Sequence, residues 1–133
     1  MTTTTTATRF LAAVPALPVS DQQRAVAFFE NALGFELRYE GEGLGVLRRD
    51  AVEVYLWVAD GSAPGAERYL AGSASCRIEI TGVDALYQHC EALGVVHANA
   101  PLTDQWWGTR EFGVLDPDNN LITLYERISP ASS

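Results

Sequence analysis

Lysine is missing from this 133-residue chain, so all nine basic residues are arginines set against seventeen acids, for a formal charge of -8. That balance excludes a phosphate backbone or an anionic membrane surface as partner, because both need clustered positive charge. Histidine and cysteine are also scarce, two of each. Cys76 and Cys90 lack the spacing of a zinc site and read as small core hydrophobes in a reducing compartment. No apolar run approaches the roughly 20 residues that cross a bilayer. Met1 and the five threonines after it offer neither the basic nor the apolar region of a signal peptide. These absences predict a cytoplasmic protein with no nucleic-acid or membrane partner.

What is present is a patterned, moderately apolar chain long enough for one domain with a real core. The domain is expected over residues 9–128. The threonine-rich start (1–8) and the Ser/Pro-rich end (129–133) are predicted to be disordered. Phe10 to Val19 is β-compatible, but Pro15 and Pro18 each remove a backbone donor and demote it to a strand paired on one side. Ser20 and Asp21 offer helix-capping oxygens, with Gln23 three residues after Ser20 as in a capping box. The helix that follows carries Val26, Phe29 and Leu33 on one stripe, and Gly34 ends it. Three strands come next, Phe35 to Tyr39, Leu44 to Arg48 and Val52 to Val58. In the last of them Val52, Val54, Leu56 and Val58 alternate with Glu53, Tyr55 and Trp57. A Gly/Ser/Pro linker spans Asp60 to Gly65, and Glu67 to Leu70 reads as a short turn or strand.

The pattern then restarts. Cys76, Ile78 and Ile80 alternate with Ser75, Arg77 and Glu79, a helix runs from about Asp84 to Gly94, and Val95 to Ala98 is expected as a short strand. The chain closes on a hairpin, Trp106 to Glu126, whose turn Asp116-Pro117-Asp118-Asn119-Asn120 combines a preset proline φ with residues that tolerate a left-handed one. Two repeated words support duplication. Asn31-Ala32-Leu33-Gly34-Phe35 matches Glu91-Ala92-Leu93-Gly94-Val95, and Gly45-Val46-Leu47-Arg48-Arg49-Asp50 matches Gly113-Val114-Leu115-Asp116-Pro117-Asp118. The fold class is therefore α+β, two β-α-β-β-β modules at about 10–59 and 73–127 forming a mostly antiparallel, curled sheet.

This plan, with Val19-Ser20-Asp21 before the first helix and Leu33-Gly34-Phe35 after it, resembles the vicinal oxygen chelate superfamily of glyoxalases, extradiol dioxygenases and bleomycin resistance proteins. Trp107-Gly108-Thr109-Arg110-Glu111-Phe112 followed by Asp116-Pro117-Asp118-Asn119-Asn120 is similar to the signature of the bleomycin-resistance branch. Asn119 stands where that turn usually carries glycine, a minor departure because asparagine also accepts φ > 0. The resemblance implies a concave cleft. In enzymatic members the cleft holds a divalent metal on His, Gln or Glu from the first and last strands of each half. The matching positions here are Val14, Ser75, Thr123 and about Glu53. One carboxylate and two hydroxyls do not make a site for a divalent cation. The expectation is no metal, no cofactor and no catalytic residue, with His89 and His97 as structural or surface residues.

The resemblance places Val14, Ala16, Glu53, Tyr55, Trp57, Ser75, Arg77, Glu79, Leu121, Thr123 and Tyr125 on the concave face. The alternation independently assigns the opposite residues to helix packing. Aromatic faces stack on planar rings and attract cations, and acids add charge complementarity. Glu53, Tyr55, Trp57, Trp107 and Tyr125 are the expected ligand-binding residues. Each also has a plainer reading: Tyr55 and Trp57 as interior filling, Trp106 as loop packing, Arg77 and Glu79 as an ion pair across the sheet. Arg110 and Glu111 are expected to hold the strand and turn, and the linker from Asp60 to Leu70 to lie where a lid would sit. No nucleophile elbow or phosphate-cradling glycine loop is visible. Two functions remain open. One is a homodimeric, metal-free protein that sequesters a bleomycin-type or other aromatic, partly cationic antibiotic in a cleft shared by both subunits. The other is a lyase- or dioxygenase-like enzyme of the same superfamily, and an accessory domain with an emptied cleft is a third, duller case.

Overall fold

The computed structural model describes residues 7–128. Predicted disorder of the tails therefore lies outside the described residues, except for Ala7 and Thr8, which are exposed and belong to no strand. The first module runs β1 (Ala16–Val19), α1 (Gln22–Leu33), β2 (Glu36–Gly41), β3 (Leu44–Arg49) and β4 (Val52–Val58). A single 3-10 turn, Arg68–Leu70, interrupts the linker. The second module repeats the order with β5 (Ser75–Glu79), α2 (Val83–Ala92), β6 (Thr103–Asp104), β7 (Thr109–Leu115) and β8 (Leu121–Arg127). The strands form two four-stranded sheets, β1-β4-β3-β2 and β5-β8-β7-β6. In each the first strand runs parallel to the last and the remaining pairs are antiparallel. The duplication read from two short words is thus a duplication of topology.

Both helices lie on the inner faces of the sheets. Leu47, Val54 and Leu56 of the first sheet meet Val26, Phe29 and Leu33 of α1, and Ile78, Phe112, Val114, Ile122 and Leu124 meet Val83 and Cys90 of α2. All belong to one continuous core, so the opposite face of each sheet turns away from it. Burial pushes both thiols up to about 11, in keeping with cysteines that act as core hydrophobes.

Several local expectations are corrected. The strand begins only at Ala16, with Pro15 O already accepting from Tyr55 N at 2.9 Å, and Phe10 and Leu11 are 98% and 85% exposed. The Ser20–Gln23 capping box does not form. Asp21 caps α1 by accepting from Arg24 N at 3.1 Å. Ser20 is drawn instead to Asp118, almost a hundred residues away, with its hydroxyl donating at 2.6 Å. Val95 to Ala98 contributes only a single bridge, Val96 to Val114, and the short edge strand lies later, in the segment read as a polar loop. The start of α2 takes its cap from β8, since one Glu126 oxygen accepts from Gly82 N at 3.1 Å and Val83 N at 3.0 Å.

The turn between β7 and β8 fastens the modules together. Asn120 is fully buried. Its Nδ2 donates to Pro18 O of β1 and to Asp116 Oδ2, both at 2.8 Å, while its Oδ1 accepts from Ala74 N at 3.0 Å. Asp116 Oδ1 accepts from Asp118 N and Asn120 N. Burial nevertheless holds the Asp116 pKa above the ordinary carboxylate value. Asn119 takes φ +75°, as its type permits. Gly72 has φ +82°, and a Cβ there would overlap the Asp118 carbonyl oxygen, so the linker passes the turn only as glycine.

Candidate functional site: two half-sites on separate sheets

The register lines up the outer face of the first sheet. Tyr55 pairs with Ala16 on one side and Val46 on the other, and Val46 with Tyr39. Trp57 pairs with Pro18 and Leu44, and Glu53 with Arg48. Glu53, Tyr55 and Trp57 therefore share one face, all half-buried, and Arg48 Nη1 stands 3.8 Å from the Glu53 carboxylate. Tyr39, which sequence reasoning passed over, belongs to the same face: it is 52% exposed, and its ring lies over Gly41. A register shift between Leu37 and Tyr39 hid it by breaking the alternation of β2.

Tyr125 and Trp107 lie on the other sheet. In β8 Tyr125 pairs with Glu79 on β5 and Glu111 on β7, while Thr123 pairs with Arg77 and Gly113. Trp107 occupies the turn before β7, with Gly108 N donating to Gln105 O at 3.1 Å. It is 48% exposed. Trp106 is 91% exposed and meets it edge-on at 5.4 Å, so it does not pack the loop. Within one chain, then, the five expected ligand residues fall into a set of three and a set of two. No strand of one sheet pairs with a strand of the other, and the common core separates the two faces.

Polar contacts on the second face differ from the simplest reading. Arg77 and Glu79 do not pair with each other. Arg77 forks onto Glu111, at 3.1 Å and 2.8 Å, and Arg127 pairs with Glu79 at 2.9 Å. Cross-strand neighbours won over near neighbours in sequence because each partner lies on the same sheet face one or two strands away. Arg77 also covers the Tyr125 ring, 4.7 Å from its centroid, so that aromatic face already carries a cation. Arg110 does hold its strand: it binds Asp104 of β6 at 2.6 Å and reaches Asp84 of α2 at 3.4 Å. This keeps the Asp104 carboxyl below its ordinary pKa.

Glu111 is 8% exposed and its pKa is depressed, first by the Arg77 hydrogen bonds, with the Thr109 hydroxyl also donating at 2.7 Å. A depressed carboxylate stabilises the fold above its unfolded pKa, and that contribution fades as pH falls through the lower folded value. The stability advantage of the parent over Glu111→Gln should accordingly be full at neutral pH and shrink below the ordinary value of 4.5. Urea melts of both proteins at several pH values measure it, and a constant difference would contradict the assignment.

The residues at the superfamily's metal positions do not fit a metal. Val14 has no donor atom and precedes β1 on an exposed segment. Beside Thr123 the register places Arg77 rather than Ser75, which pairs with Leu121. A guanidinium next to a lone hydroxyl repels a cation, and among the described residues no cluster of three His, Cys, Asp or Glu side chains forms. His89 Nε2 lies 2.8 Å from Asn31 O, tying the helices, and His97 Nδ1 accepts from Asn99 N at 3.1 Å. Both are engaged within the fold.

A cleft of about 920 Å3 lies on the helix side between the end of α1, the turn before β4 and the end of β5. None of the five expected residues lines it. Two of its polar side chains are committed to the fold, Arg49 donating to Leu33 O at 2.7 Å and His89 bound as above. Volume alone does not make it the site. A pocket of about 130 Å3 beside Glu111, Gly113 and Thr123 is the concavity that adjoins the second half-site.

Residues 11–124 match the Glyoxalase/Bleomycin resistance protein/Dioxygenase superfamily. The chain belongs to this superfamily. A bleomycin resistance protein of Geobacillus stearothermophilus is 43% identical over 129 residues, covering 89% of this chain and 98% of the relative. Among solved structures, the bleomycin resistance determinant encoded on transposon Tn5 superposes with a TM-score of 0.71 at 26% identity, covering 89% of this chain and 98% of that one. A bleomycin-binding protein from Streptomyces verticillus, complexed with copper(II)-bleomycin, gives 0.70 at 26% identity, with coverage of 93% and 100%. Superfamily membership agrees with the two-module topology.

Proposed function

We propose that this protein is a metal-free binding protein that sequesters a bleomycin-type or other aromatic, partly cationic antibiotic and so confers resistance to it. The observation that carries the reading is the 43% identity to a bleomycin resistance protein along nearly the whole of both chains. The site chemistry supports it. Tyr39, Tyr55 and Trp57 make an aromatic surface beside Glu53, suited to a flat ring system carrying positive charge. Trp107 and Tyr125 supply a second aromatic pair. Because the two sets lie on different sheets of one chain, the reading includes a homodimer in which the first sheet of one copy faces the second sheet of the other. It also places the protein in the cytoplasm, where both thiols stay reduced.

Isothermal titration with metal-free and copper(II)-loaded bleomycin tests the ligand. Binding at micromolar concentration or tighter, with quenching of tryptophan emission, is the expected result. Absence of heat and quenching with both forms would overturn the ligand assignment and leave the fold untouched.

A further inference from the structure

The two half-sites differ in which charge they leave open. On the first sheet the open group is an acid. Glu53 stands 3.8 Å from Arg48, too far for a hydrogen bond, and Arg48 Nε donates instead to Asp50 O at 3.0 Å. On the second sheet the order is reversed. Glu111 is nearly buried, and its oxygens already accept the Arg77 fork at 3.1 Å and 2.8 Å and the Thr109 hydroxyl at 2.7 Å. Arg77 is half-exposed. The fork engages two of its five N–H donors, and the other three meet no acceptor among the described residues. Thr123 and Gly113, which follow Arg77 in register across the sheet, are too small to cover the guanidinium. On its inner side the guanidinium carbon lies 4.7 Å from the centre of the Tyr125 ring, and Arg127 approaches the same ring at 6.0 Å.

We propose that Arg77, backed by Tyr125, is a ligand-contacting residue of the second half-site, and that it receives a planar group bearing acceptor atoms, uncharged or anionic. Resting on the binding function proposed above, this contact also orients the ligand, whose cationic part then lies against Glu53 on the first sheet. A ring with two guanidinium groups already beside it does not attract a third cation, because like charges a few Å apart repel. A guanidinium plane, in contrast, stacks on a flat ring and presents donors at its edge to acceptors on that ring's margin. Arg77 is held for this task by Glu111 at one edge and Tyr125 on one face, so little of its side-chain freedom is left to lose on binding. Lysine would keep the charge without the plane or the fork.

The test follows the 15N–1H resonances of the nine arginine Nε–H groups, with Arg77→Lys assigning that of Arg77. Two planar probes of equal ring number, naphthalene-2-sulfonate and N-methylquinolinium, are titrated separately into the full chain, and metal-free bleomycin into a third sample. The Arg77 resonance should move with the sulfonate and with bleomycin and stay in place with the quinolinium. Arg77→Gln should weaken sulfonate binding at least about ten-fold, and Glu53→Gln should weaken only the quinolinium. Because Arg77→Gln strips a buried carboxylate of its counter-ion, Arg77→Gln combined with Glu111→Gln serves where the single variant does not fold. An unmoved Arg77 resonance at saturating sulfonate overturns the proposal, as does a parent that binds neither probe. So does an equal loss of both probes in the Arg77 variants, which marks a general structural effect. A quinolinium indifferent to Glu53→Gln overturns the orientation. Bleomycin that binds without moving Arg77 keeps the binding function and overturns the arginine contact. If bleomycin fails to bind while the sulfonate still moves Arg77, the antibiotic assignment falls and the arginine site stands.

Discussion

Asn120→Ala should lower the stability of the folded protein by about 4 kcal/mol, seen as a fall of about 15 °C in the thermal midpoint. The size follows from burial. Asn120 is fully enclosed and spends its amide on three partners, Pro18 O, Asp116 Oδ2 and Ala74 N. Alanine leaves the part-buried Ala74 N–H and the buried Asp116 oxygen short of partners, and each such orphan costs about 1–3 kcal/mol. Pro18 O suffers least, since it still accepts from Gly72 N at 3.1 Å. Asp118→Ala makes an instructive comparison. It removes two bonds to Ser20, but these are exposed and water replaces them, so a loss of about 1 kcal/mol is expected. Denaturant melts of the two variants decide the matter. Equal losses, or a loss below about 1 kcal/mol for Asn120→Ala, would mean that the turn does not join the modules energetically.

Mixed subunits should recover binding that neither parent variant retains. Under the proposed function, Trp57→Ala removes an aromatic from the first half-site and Trp107→Ala one from the second. Each should weaken bleomycin binding about 100-fold, the cost of losing a central aromatic contact of about 2.7 kcal/mol. If every cleft combines the first sheet of one copy with the second sheet of another, a heterodimer of the two variants rebuilds one intact cleft and leaves the other doubly defective. Random pairing from equal co-expression makes half of the dimers mixed, so about a quarter of the parent capacity should return at parent affinity. A site contained in one chain would recover nothing. The split of Glu53, Tyr55 and Trp57 from Trp107 and Tyr125 makes this experiment decisive, because no rearrangement of side chains alone brings the sets together.

Much of the fold was legible because strand alternation and helix periodicity report burial directly. Val54 and Leu56, and likewise Ile122 and Leu124, point into the core as their spacing requires. Features set by distant partners were not legible. Ser20 looks like a helix cap from its neighbours, and only the approach of the last turn shows that Asp118 claims it. Arg77 and Glu79 sit two apart on one strand face, yet each finds its counter-ion across the sheet. Tyr39 was lost to a bulge, and Phe10 to Val14 looked like strand because apolar composition does not reveal whether a neighbouring strand exists.

The closing segment from Trp106 to Glu126 shows where the division falls. By itself the sequence determined its hairpin, its turn chemistry, its membership of a duplicated unit and its superfamily signature, since all of these are local or repeated patterns. Tertiary structure alone decided that the turn binds the first module through Asn120, that Glu111 receives the Arg77 fork beside Tyr125, and that the expected ligand residues fall on two separate sheets. Those outcomes depend on which surfaces meet across about a hundred residues of chain, and pairing at that range is set by the packing of the whole core rather than by any local preference.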